Sequence, residues 1–290
     1  MSTAVLPSAG TDGDIAERIA RALDARFGTT LPVAPDQPGA AVLAGFLEHN
    51  THRRYTGAPV SDELLQLLYA AALSSPSKSD LQQAGILRVA DPAKRAVIAD
   101  LLPSMPWVRE APVFLVFIGD NRRLRKVSGL RGHAFANDHL DAFFNAAVDA
   151  GIVLGAFIHA ANAAGLGACP ISAIRNHARA VSDLLGLPEH VFPVAGLTLG
   201  YPLFGGRIVP RLPLELNVHD DRYDDAGLAG KIDAWDRRRA ARLPYPEQRD
   251  TGRFGIAAFY GWSEDKARQY ATPARADFGA YVREQGFDLS

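Results

Sequence analysis

The segment DHLDAFFNAAVDAGIVLGAFIHAANAA (138–164) decides the fold. Its polar residues Asp138, Asp141, Asn145 and Asp149 recur at i, i+3, i+7 and i+11, which is the spacing of a single stripe along an α-helix. Nearly every other position in the segment is apolar. A helix that is apolar around most of its circumference must be buried on several sides, so we expect it at the centre of a domain or in a dimer interface.

The same segment is too interrupted to be interpreted as a membrane span. A bilayer-spanning helix needs about 20 nearly uninterrupted apolar residues, whereas Asn145, Asp149, His159 and Asn162 break the stretch 142–168. The N-terminus has no basic region followed by an apolar core, so it is not expected to be a signal peptide. We therefore expect a cytoplasmic globular protein that does not enter the membrane.

Composition and charge exclude several functional classes. The 290 residues are 48% hydrophobic and 22% charged, which excludes a wholly disordered chain. The 31 basic residues are balanced by 32 acidic ones, so a nucleic-acid binder is not expected. A single cysteine, Cys169, excludes a disulfide framework, a cysteine-rich zinc site and a cysteine-ligated iron–sulfur cluster. Cys169 itself is interpreted as a small core residue.

Three zones of the chain differ in composition. Residues 1–38 contain one amphipathic helix with a glycine at its C-terminal end, followed by a linker that includes Pro35. Residues 39–223 form an apolar body. Residues 224–290 are rich in arginine and aromatic side chains, which favours an arm that packs on the body or on a partner subunit.

Helix and strand patterns alternate irregularly inside the body. Ser61 precedes two carboxylates and so predicts a helix start, because a hydroxyl caps the first turn and the helix dipole favours negative charge there. Short β-branched runs predict strands over 86–90, 112–119 and 192–200. This is the pattern of an α+β fold with few strands and many helices.

Sequence signatures of common catalytic sites are missing. The chain has no GxSxG, HExxH or P-loop motif, and no GxGxxG follows a strand. Gly165 and Gly167 are explained by a helix-end turn. Asp138, His139 and Asp141 favour a capped helix start over metal binding, so no metal site is predicted. We expect instead that a cofactor carries the chemistry and that the protein binds and orients it.

Four segments are candidates for a cofactor site. They are EHNTHRRY (48–55), SSPSKSDLQ (74–82), CPISAIRN (169–176) and RIVPRLPLE (207–215). Guanidinium and hydroxyl groups are the usual partners of a phosphate, and small side chains let backbone N–H groups approach a flat heteroaromatic ring. Each segment by itself is more commonly a turn or a solvated surface, but their order and spacing together favour a binding site.

Six motifs in the same order resemble the nitroreductase family, in its NADPH-dependent branch of flavin reductases and oxygen-insensitive nitroreductases. They are HNTHR, SKSDLQ, GLG, ISAIRN, LTLGYP and VPRLP, within about residues 46–223. The resemblance implies a three-layer α+β fold with a small mixed antiparallel sheet surrounded by helices. It also implies an intertwined homodimer with the long helix at its interface and one FMN in each of two crevices between the subunits.

The resemblance further implies which residues hold FMN. The HNTHR segment and Arg211 would line its phosphate and ribityl side, and residues 170–173 would present backbone N–H groups to the N5 and O4 edge. The SKSDLQ segment would come from the partner chain or from the far wall of the same pocket. The FMN-binding set is His49, Asn50, Thr51, Arg53, Ser77, Ser79, Gln82, Met105, Pro170, Ile171, Ser172, Ala173, Arg207 and Arg211.

Three positions depart from the family pattern. Asn50 and Val209 stand where the pattern has an arginine and a lysine, and Met105 stands where it has a glutamine. Two missing cations weaken the binding of a phosphate dianion, since a charge-assisted hydrogen bond contributes about 1.5–3 kcal/mol, unless Arg54 or Arg207 compensates. We expect FMN to bind with its phosphate held by a rearranged set of arginines.

The expected function is that of an FMN-dependent oxidoreductase without a catalytic side chain. Hydride would pass from NAD(P)H through the flavin N5 to a flat, electron-poor small molecule (a nitroaromatic, a quinone or a flavin) in a ping-pong cycle. Arg237, Arg238 and Arg239 are candidates for the 2′-phosphate of NADPH, although a solvated helix face explains them more simply. Two alternatives stay open: a flavoenzyme that consumes its flavin or reduces a dedicated biosynthetic substrate, and a flavin-free interaction protein.

Overall fold

The computed structural model describes residues 12–34 and 36–290, with side chains from residue 15 onward. The first eleven residues of the N-terminal zone and Pro35 of the predicted linker lie outside the described residues. In the described part the strands are β1 (Ala84–Arg88), β2 (Val113–Asp120), β3 (Gly167–Ile171) and β4 (Val191–Gly200). The α-helices are α1 (Asp12–Phe27), α2 (Ala40–Glu48), α3 (Asp62–Leu73), α4 (Pro92–Leu101), α5 (Trp107–Glu110), α6 (Arg122–Leu130), α7 (Leu140–Ala163), α8 (Ala178–Leu185), α9 (Leu228–Arg242), α10 (Thr251–Phe254), α11 (Trp262–Tyr270) and α12 (Phe278–Glu284).

Packing divides the chain into two compact units. The sheet unit contains Thr51–Gly206 and Arg275–Ser290. The helical unit contains the described residues up to Asn50 together with Arg207–Ala274. These units are defined by packing, whereas the zones 1–38, 39–223 and 224–290 are defined by composition, and their separate roles stay a prediction.

The sheet unit is built on one four-stranded sheet in the order β1-β2-β4-β3, with all three pairings antiparallel. The strands predicted over 86–90, 112–119 and 192–200 are confirmed to within two residues at each end. The sequence does not predict β3, because Pro170 among small residues favours a turn. β3 is an edge strand, where a proline is tolerated because alternate N–H groups point away from the ladder.

Alternate residues of β2 point to opposite faces of the sheet and create two cores. Leu115 and Phe117 pack with α3 and α7 on one face, whereas Phe114 and Val116 pack with α4, α5 and α8 on the other. None of these four side chains is more than 1% exposed. The sheet therefore lies between two helical layers, which confirms the expected α+β architecture.

Helix α7 is the helix predicted over 138–164. It begins two residues later than predicted because His139 is its N-cap, and the His139 ring accepts the N–H of Asp141 at 3.3 Å. One face of α7, with Ala150 and Phe157 completely buried, packs against α3 and the sheet. In the described residues α7 is the one helix long and apolar enough to cross a bilayer by length and composition alone.

The opposite face of α7 carries an exposed apolar stripe. Leu140, Phe144, Val148 and Ile152 follow one another at four-residue intervals and are between 39% and 59% exposed. In a single chain the helix is therefore buried on one side and not on several, so a central position within one domain is the wrong expectation. The dimer-interface alternative is compatible with the stripe.

The helical unit has a smaller core of its own. Ile19 and Leu23 bury the apolar side of α1 against α2. Gly28 ends α1 with φ of +65°, and its N–H donates to the carbonyl four residues earlier at 2.9 Å, which confirms the predicted helix end. Elsewhere in the unit, Trp235 of α9 and Trp262 of α11 pack edge to face with ring centroids 5.0 Å apart.

The first prediction concerns Gly119 of β2. An added methyl group there would overlap the ring of Phe192, which is 1% exposed and closed in by the core. We expect Gly119→Ala to lower the free energy of unfolding by about 1–3 kcal/mol, measured by urea denaturation. Gly129→Ala in α6 is the control, because no atom lies within 4 Å of its added methyl group. Equal stability of Gly119→Ala and the unchanged protein would contradict the packing described.

Candidate active site

The CPISA segment forms the end of β3 and the start of a 3-10 helix (Ser172–His177). Ile171 is buried and anchors this end, whereas Pro170 and Ser172 are exposed and Ala173 is half-buried. These small or compact exposed side chains leave the backbone open to a flat ligand. Pro170 has no N–H group, and Ile171 pairs with Gly196 so that its N–H points toward β4. The prediction that these two residues donate to a ligand is therefore wrong, and the possible donors are Ser172 and Ala173.

Thr51 and the residue after it lie along β3. The N–H of His52 donates to the carbonyl of Ala168 at 3.0 Å, which holds the segment against the strand. Gly167 makes this approach possible, because an added Cβ would lie 2.7 Å from the Cβ of His52. Burial lowers the pKa of the His52 imidazole, which keeps the ring neutral near pH 7.

Arg53 and Met105 lie in the neighbourhood of Cys169. Met105 and Trp107 pack against the cluster that contains Cys169, and the Arg53 guanidinium lies over the Trp107 ring, 5.4 Å from its centroid. The thiol is 2% exposed, and burial raises the pKa of Cys169. A buried thiol with a raised pKa is a packing group and not a nucleophile, which confirms its interpretation as a core residue.

One residue of the C-terminal segment reaches the same end of β3. Nη1 of Arg275 donates to the carbonyl of Ser172 at 3.3 Å. Arg275 has φ of +60°, so its own backbone is in a region that residues other than glycine rarely adopt. The sequence gives no sign of this contact, because 103 residues separate the two partners.

The SKSDLQ segment forms a strained loop between α3 and β1. Ser79, Asp80 and Gln82 have φ of 49°, 57° and 52°, a region that most L-residues avoid. Within the loop, Oγ of Ser77 accepts the N–H of Gln82 at 3.0 Å. Strained backbone of this kind costs about 1–3 kcal/mol per residue and persists only where the surrounding structure holds it.

Asp149 of α7 holds both ends of this loop. Its Oδ1 accepts the N–H of Lys78 at 3.0 Å, and its Oδ2 accepts the N–H of Gln83 at 3.2 Å. The side chain is 1% exposed and has no ion-pair partner among the described residues. Because a buried carboxylate is costly unless hydrogen bonds satisfy it, these two N–H groups fix its position, and it fixes theirs. The sequence places Asp149 in a polar stripe but does not reveal these partners.

A cavity of about 670 Å³ opens between this loop, α7 and β1. Ser77, Gln82 and Asp149 line it together with Arg123, whose Nη1 donates to the carbonyl of Gln82 at 2.7 Å. The volume lies within the range of small-molecule sites, about 300–1,000 Å³. Two of the three predicted residues in the SKSDLQ segment therefore face a cavity of suitable size.

The two groups of predicted residues lie at opposite edges of the sheet. β1 and β3 are its outer strands, with β2 and β4 between them. Three inter-strand spacings of about 4.8 Å put the edges about 14 Å apart. Within one sheet unit, Ser77, Ser79 and Gln82 are therefore not brought together with residues 170–173.

The remaining predicted residues belong to the helical unit. His49 follows the last residue of α2, and Asn50 comes directly after it. Oδ1 of Asn50 is buried and has no hydrogen-bond partner among the described residues. Arg207 and Arg211 are both exposed.

Arg26 of α1 connects the segment around His49 to the segment around Arg211, although the sequence does not identify it. Its Nε donates to the carbonyl of Leu47 at 2.8 Å, its Nη1 to the carbonyl of Val209 at 3.2 Å and its Nη2 to the carbonyl of His49. The N–H of Arg211 in turn donates to the Arg26 carbonyl at 2.6 Å. No motif surrounds Arg26 in α1, so its partners could not be foreseen.

Other candidate arginines are engaged within their own units. In the sheet unit, Arg54 lies over the ring of Phe204, 5.0 Å from its centroid. In the helical unit, Arg239 is buried over the ring of Tyr245 at 4.4 Å, and Arg238 packs against the end of α1. These contacts favour structural roles for Arg238 and Arg239, and binding of the 2′-phosphate of NADPH by the three arginines stays a prediction.

The acidic start of α7 is occupied by protein contacts. Asp138 pairs with Arg125 at 2.5 Å, and His139 caps the helix. Over residues 12–34 and 36–290, no group of three or more histidine, cysteine or acidic side chains is placed to hold a metal ion.

Comparison with known sequences establishes the class of this protein. The sequence model of the nitroreductase family matches residues 47–201, and that of the nitroreductase family C-terminal domain matches residues 210–290. The chain belongs to the nitroreductase family.

Two relatives and one solved structure are similar to this chain over most of its length. The chain is 33% identical over 252 residues to an FMN reductase (NAD(P)H) of Bacillus subtilis (strain 168), covering 86% of this chain and 98% of that protein. It is 32% identical over 245 residues to an NADPH-flavin oxidoreductase of Vibrio harveyi, covering 83% and 95%. Among solved structures, NfrA2 of B. megaterium superposes with a TM-score of 0.78 at 32% identity, covering 86% of this chain and 98% of that one.

The second prediction concerns Asp149 in the protein without ligand. Asp149→Asn keeps the size of the side chain but turns one acceptor oxygen into a donor, so the N–H of Lys78 or of Gln83 loses its partner, at about 1–3 kcal/mol. We expect hydrogen exchange at that amide to become about tenfold faster or more. Asp183→Asn, which changes an exposed carboxylate of α8, should leave both rates unchanged. Unchanged hydrogen-exchange rates in Asp149→Asn would show that the loop keeps its conformation without Asp149.

Proposed function

We propose that this chain is an NAD(P)H-dependent FMN oxidoreductase that acts on flat, electron-poor acceptors. Relatives named FMN reductase, NADPH-flavin oxidoreductase and oxygen-insensitive NADPH nitroreductase align with 80% or more of their own length. The observation that carries the proposal is the exposed end of β3: Ser172 and Ala173 offer an accessible backbone edge there, and the guanidinium of Arg53, stacked on Trp107, lies near Cys169 of the same strand. A planar ring with a charged tail matches this combination.

The donor and acceptor groups present fit FMN. Arg211 is an exposed cation without an ion-pair partner among the described residues, and a guanidinium suits a phosphate. The exposed hydroxyl of Thr51 suits the ribityl chain. Oδ1 of Asn50 is a buried acceptor without a partner in the described chain, and buried acceptors need a donor. A ribityl hydroxyl is such a donor.

When bound, FMN supplies two-electron transfer between a nicotinamide and an acceptor. The contribution of the chain is to bind and orient. N–H groups of Ser172 and Ala173 are the candidates for the polar edge of the ring, and Arg211 for the phosphate. Cys169 takes no part as a nucleophile, because it is buried and its pKa is raised. No side-chain acid or base is assigned a proton-transfer step.

The proposal includes a homodimer, which two observations support. The SKSDLQ loop and the end of β3 lie at opposite edges of the sheet, so two chains can combine them in one site where one chain cannot. The apolar stripe on α7 (Leu140, Phe144, Val148 and Ile152) is exposed in the single chain and gives the second copy an apolar surface to cover.

The third prediction tests the proposed function directly. The purified protein, reconstituted with FMN, should show the absorbance spectrum of bound flavin and should oxidise NADPH or NADH over many turnovers with a quinone, a nitroaromatic or free flavin. Absence of flavin binding would favour the flavin-free interaction protein. Binding followed by loss of the flavin, without turnover on any of these acceptors, would favour the enzyme that consumes its flavin or uses a dedicated substrate.

The fourth prediction tests the dimer. Phe144→Asp combined with Val148→Asp places two charges in the apolar stripe, and we expect a monomer by sedimentation velocity and at least tenfold weaker FMN binding by fluorescence titration. Val127→Asp is the matched control, because this side chain is 47% exposed on α6 and lies outside the stripe. A dimer that survives the double substitution would contradict the proposed interface.

A further inference from the structure

We infer that Arg26 of α1 builds the phosphate end of the flavin site, as a positioning residue that acts through the backbone of two chain segments. This inference rests on the proposed function. It assigns a role to a helix that precedes the residues matched by either family model, which cover 47–201 and 210–290. Residues 12–27 would thus be part of the binding site and not an appendage.

Within the helical unit, the Arg26 side chain contacts two chain segments. Three of its N–H groups donate to carbonyls in two segments that are far apart in sequence: Leu47 and His49 in one, Val209 in the other. The Arg26 carbonyl accepts the N–H of Arg211. One side chain and its own backbone therefore tie the HNTHR segment to the VPRLP segment.

These contacts leave the positive charge of Arg26 without a counter-charge among the described residues. Arg26 is 6% exposed, and burying a guanidinium costs several kcal/mol unless its hydrogen bonds and its charge are satisfied. Carbonyls satisfy the hydrogen bonds, but in the described residues neither Arg26 nor Arg211 has a carboxylate partner. Burial and the nearby charge of Arg211 both lower the pKa of Arg26. Two neighbouring cations without a protein anion favour an anionic ligand.

The Arg26 guanidinium contacts the two segments that contain Asn50 and Val209. Arg26 binds the carbonyl of Val209 and the carbonyl of the residue before Asn50. Asn50 and Val209 are the two positions at which the resemblance to the family implies a cation that this chain does not have. The buried guanidinium thus places a positive charge between the two segments that lack one, and the ligand class that it favours is a phosphate monoester.

The test compares FMN with riboflavin, which lacks only the phosphate. We expect Arg26→Gln to weaken FMN binding at least tenfold, while riboflavin binding changes less than twofold, both measured by fluorescence titration. Arg26→Lys keeps the charge but cannot reach three carbonyls in the same way. It should weaken FMN binding less than Arg26→Gln does, but still more than it weakens riboflavin binding. Circular dichroism shows whether Arg26→Gln is folded. If it is not, the comparison of FMN binding with riboflavin binding is made with Arg26→Lys.

Arg242→Gln is the matched control. Arg242 also anchors α1, through an ion pair of 2.8 Å with Asp24, but it touches neither of the two segments. Its substitution should leave the ratio of FMN to riboflavin affinity unchanged. Equal weakening of FMN and riboflavin binding in Arg26→Gln would reduce Arg26 to a structural residue, and unchanged binding of both would remove it from the phosphate site. Either result overturns the inference.

Inorganic phosphate separates this inference from the proposed function. It should raise the melting temperature of the unchanged protein and should raise that of Arg26→Gln, or of Arg26→Lys if the former does not fold, by less than half as much. If the protein binds no flavin but shows this difference, the proposed function fails and the anion site stands. If phosphate stabilises all variants equally or none, the anion site fails.

Discussion

The packing of α7 across one face of the antiparallel sheet is the contact on which the rest of the sheet unit depends. It completes the larger core, with Phe157 of α7 against Phe117 of β2 at 5.5 Å between ring centroids. It carries Asp149 to the loop that precedes β1. It also leaves the apolar stripe pointing outward. One helix thereby sets the core, one wall of the cavity and the surface proposed for the second subunit.

Two buried ionised groups, one in each unit, hold loop backbone in place by complementary chemistry. The carboxylate of Asp149 accepts from two N–H groups, and the guanidinium of Arg26 donates to three carbonyls. Such groups contribute little net stability, because removing a charge from water is costly. Their value lies in geometry: each fixes backbone at the ends of loop segments, and those segments carry most of the predicted binding residues.

The sequence predicts what local patterns control and misses what distant partners control. Helix α3 begins after Ser61 as predicted, with the N–H of Leu64 donating to the Ser61 hydroxyl at 3.2 Å, because a cap is decided within four residues. The sequence does not predict strand β3, because the strand is defined by its pairing with β4 and because Pro170 is typical of a turn. The partners of Asp149 and Arg26 could not be predicted, since they are set by tertiary packing. For the candidate site, the sequence finds the segments, whereas their separation on the sheet becomes visible only in the fold.

The proline at the exposed end of β3 has a consequence beyond ligand access. A sheet edge that stays open for a small molecule is equally open to the backbone of another polypeptide, and such edges invite strand addition and aggregation. Pro170 interrupts the row of donors that an incoming strand would need. Pro170, which has no N–H group to offer a ligand, therefore also offers none to an incoming strand.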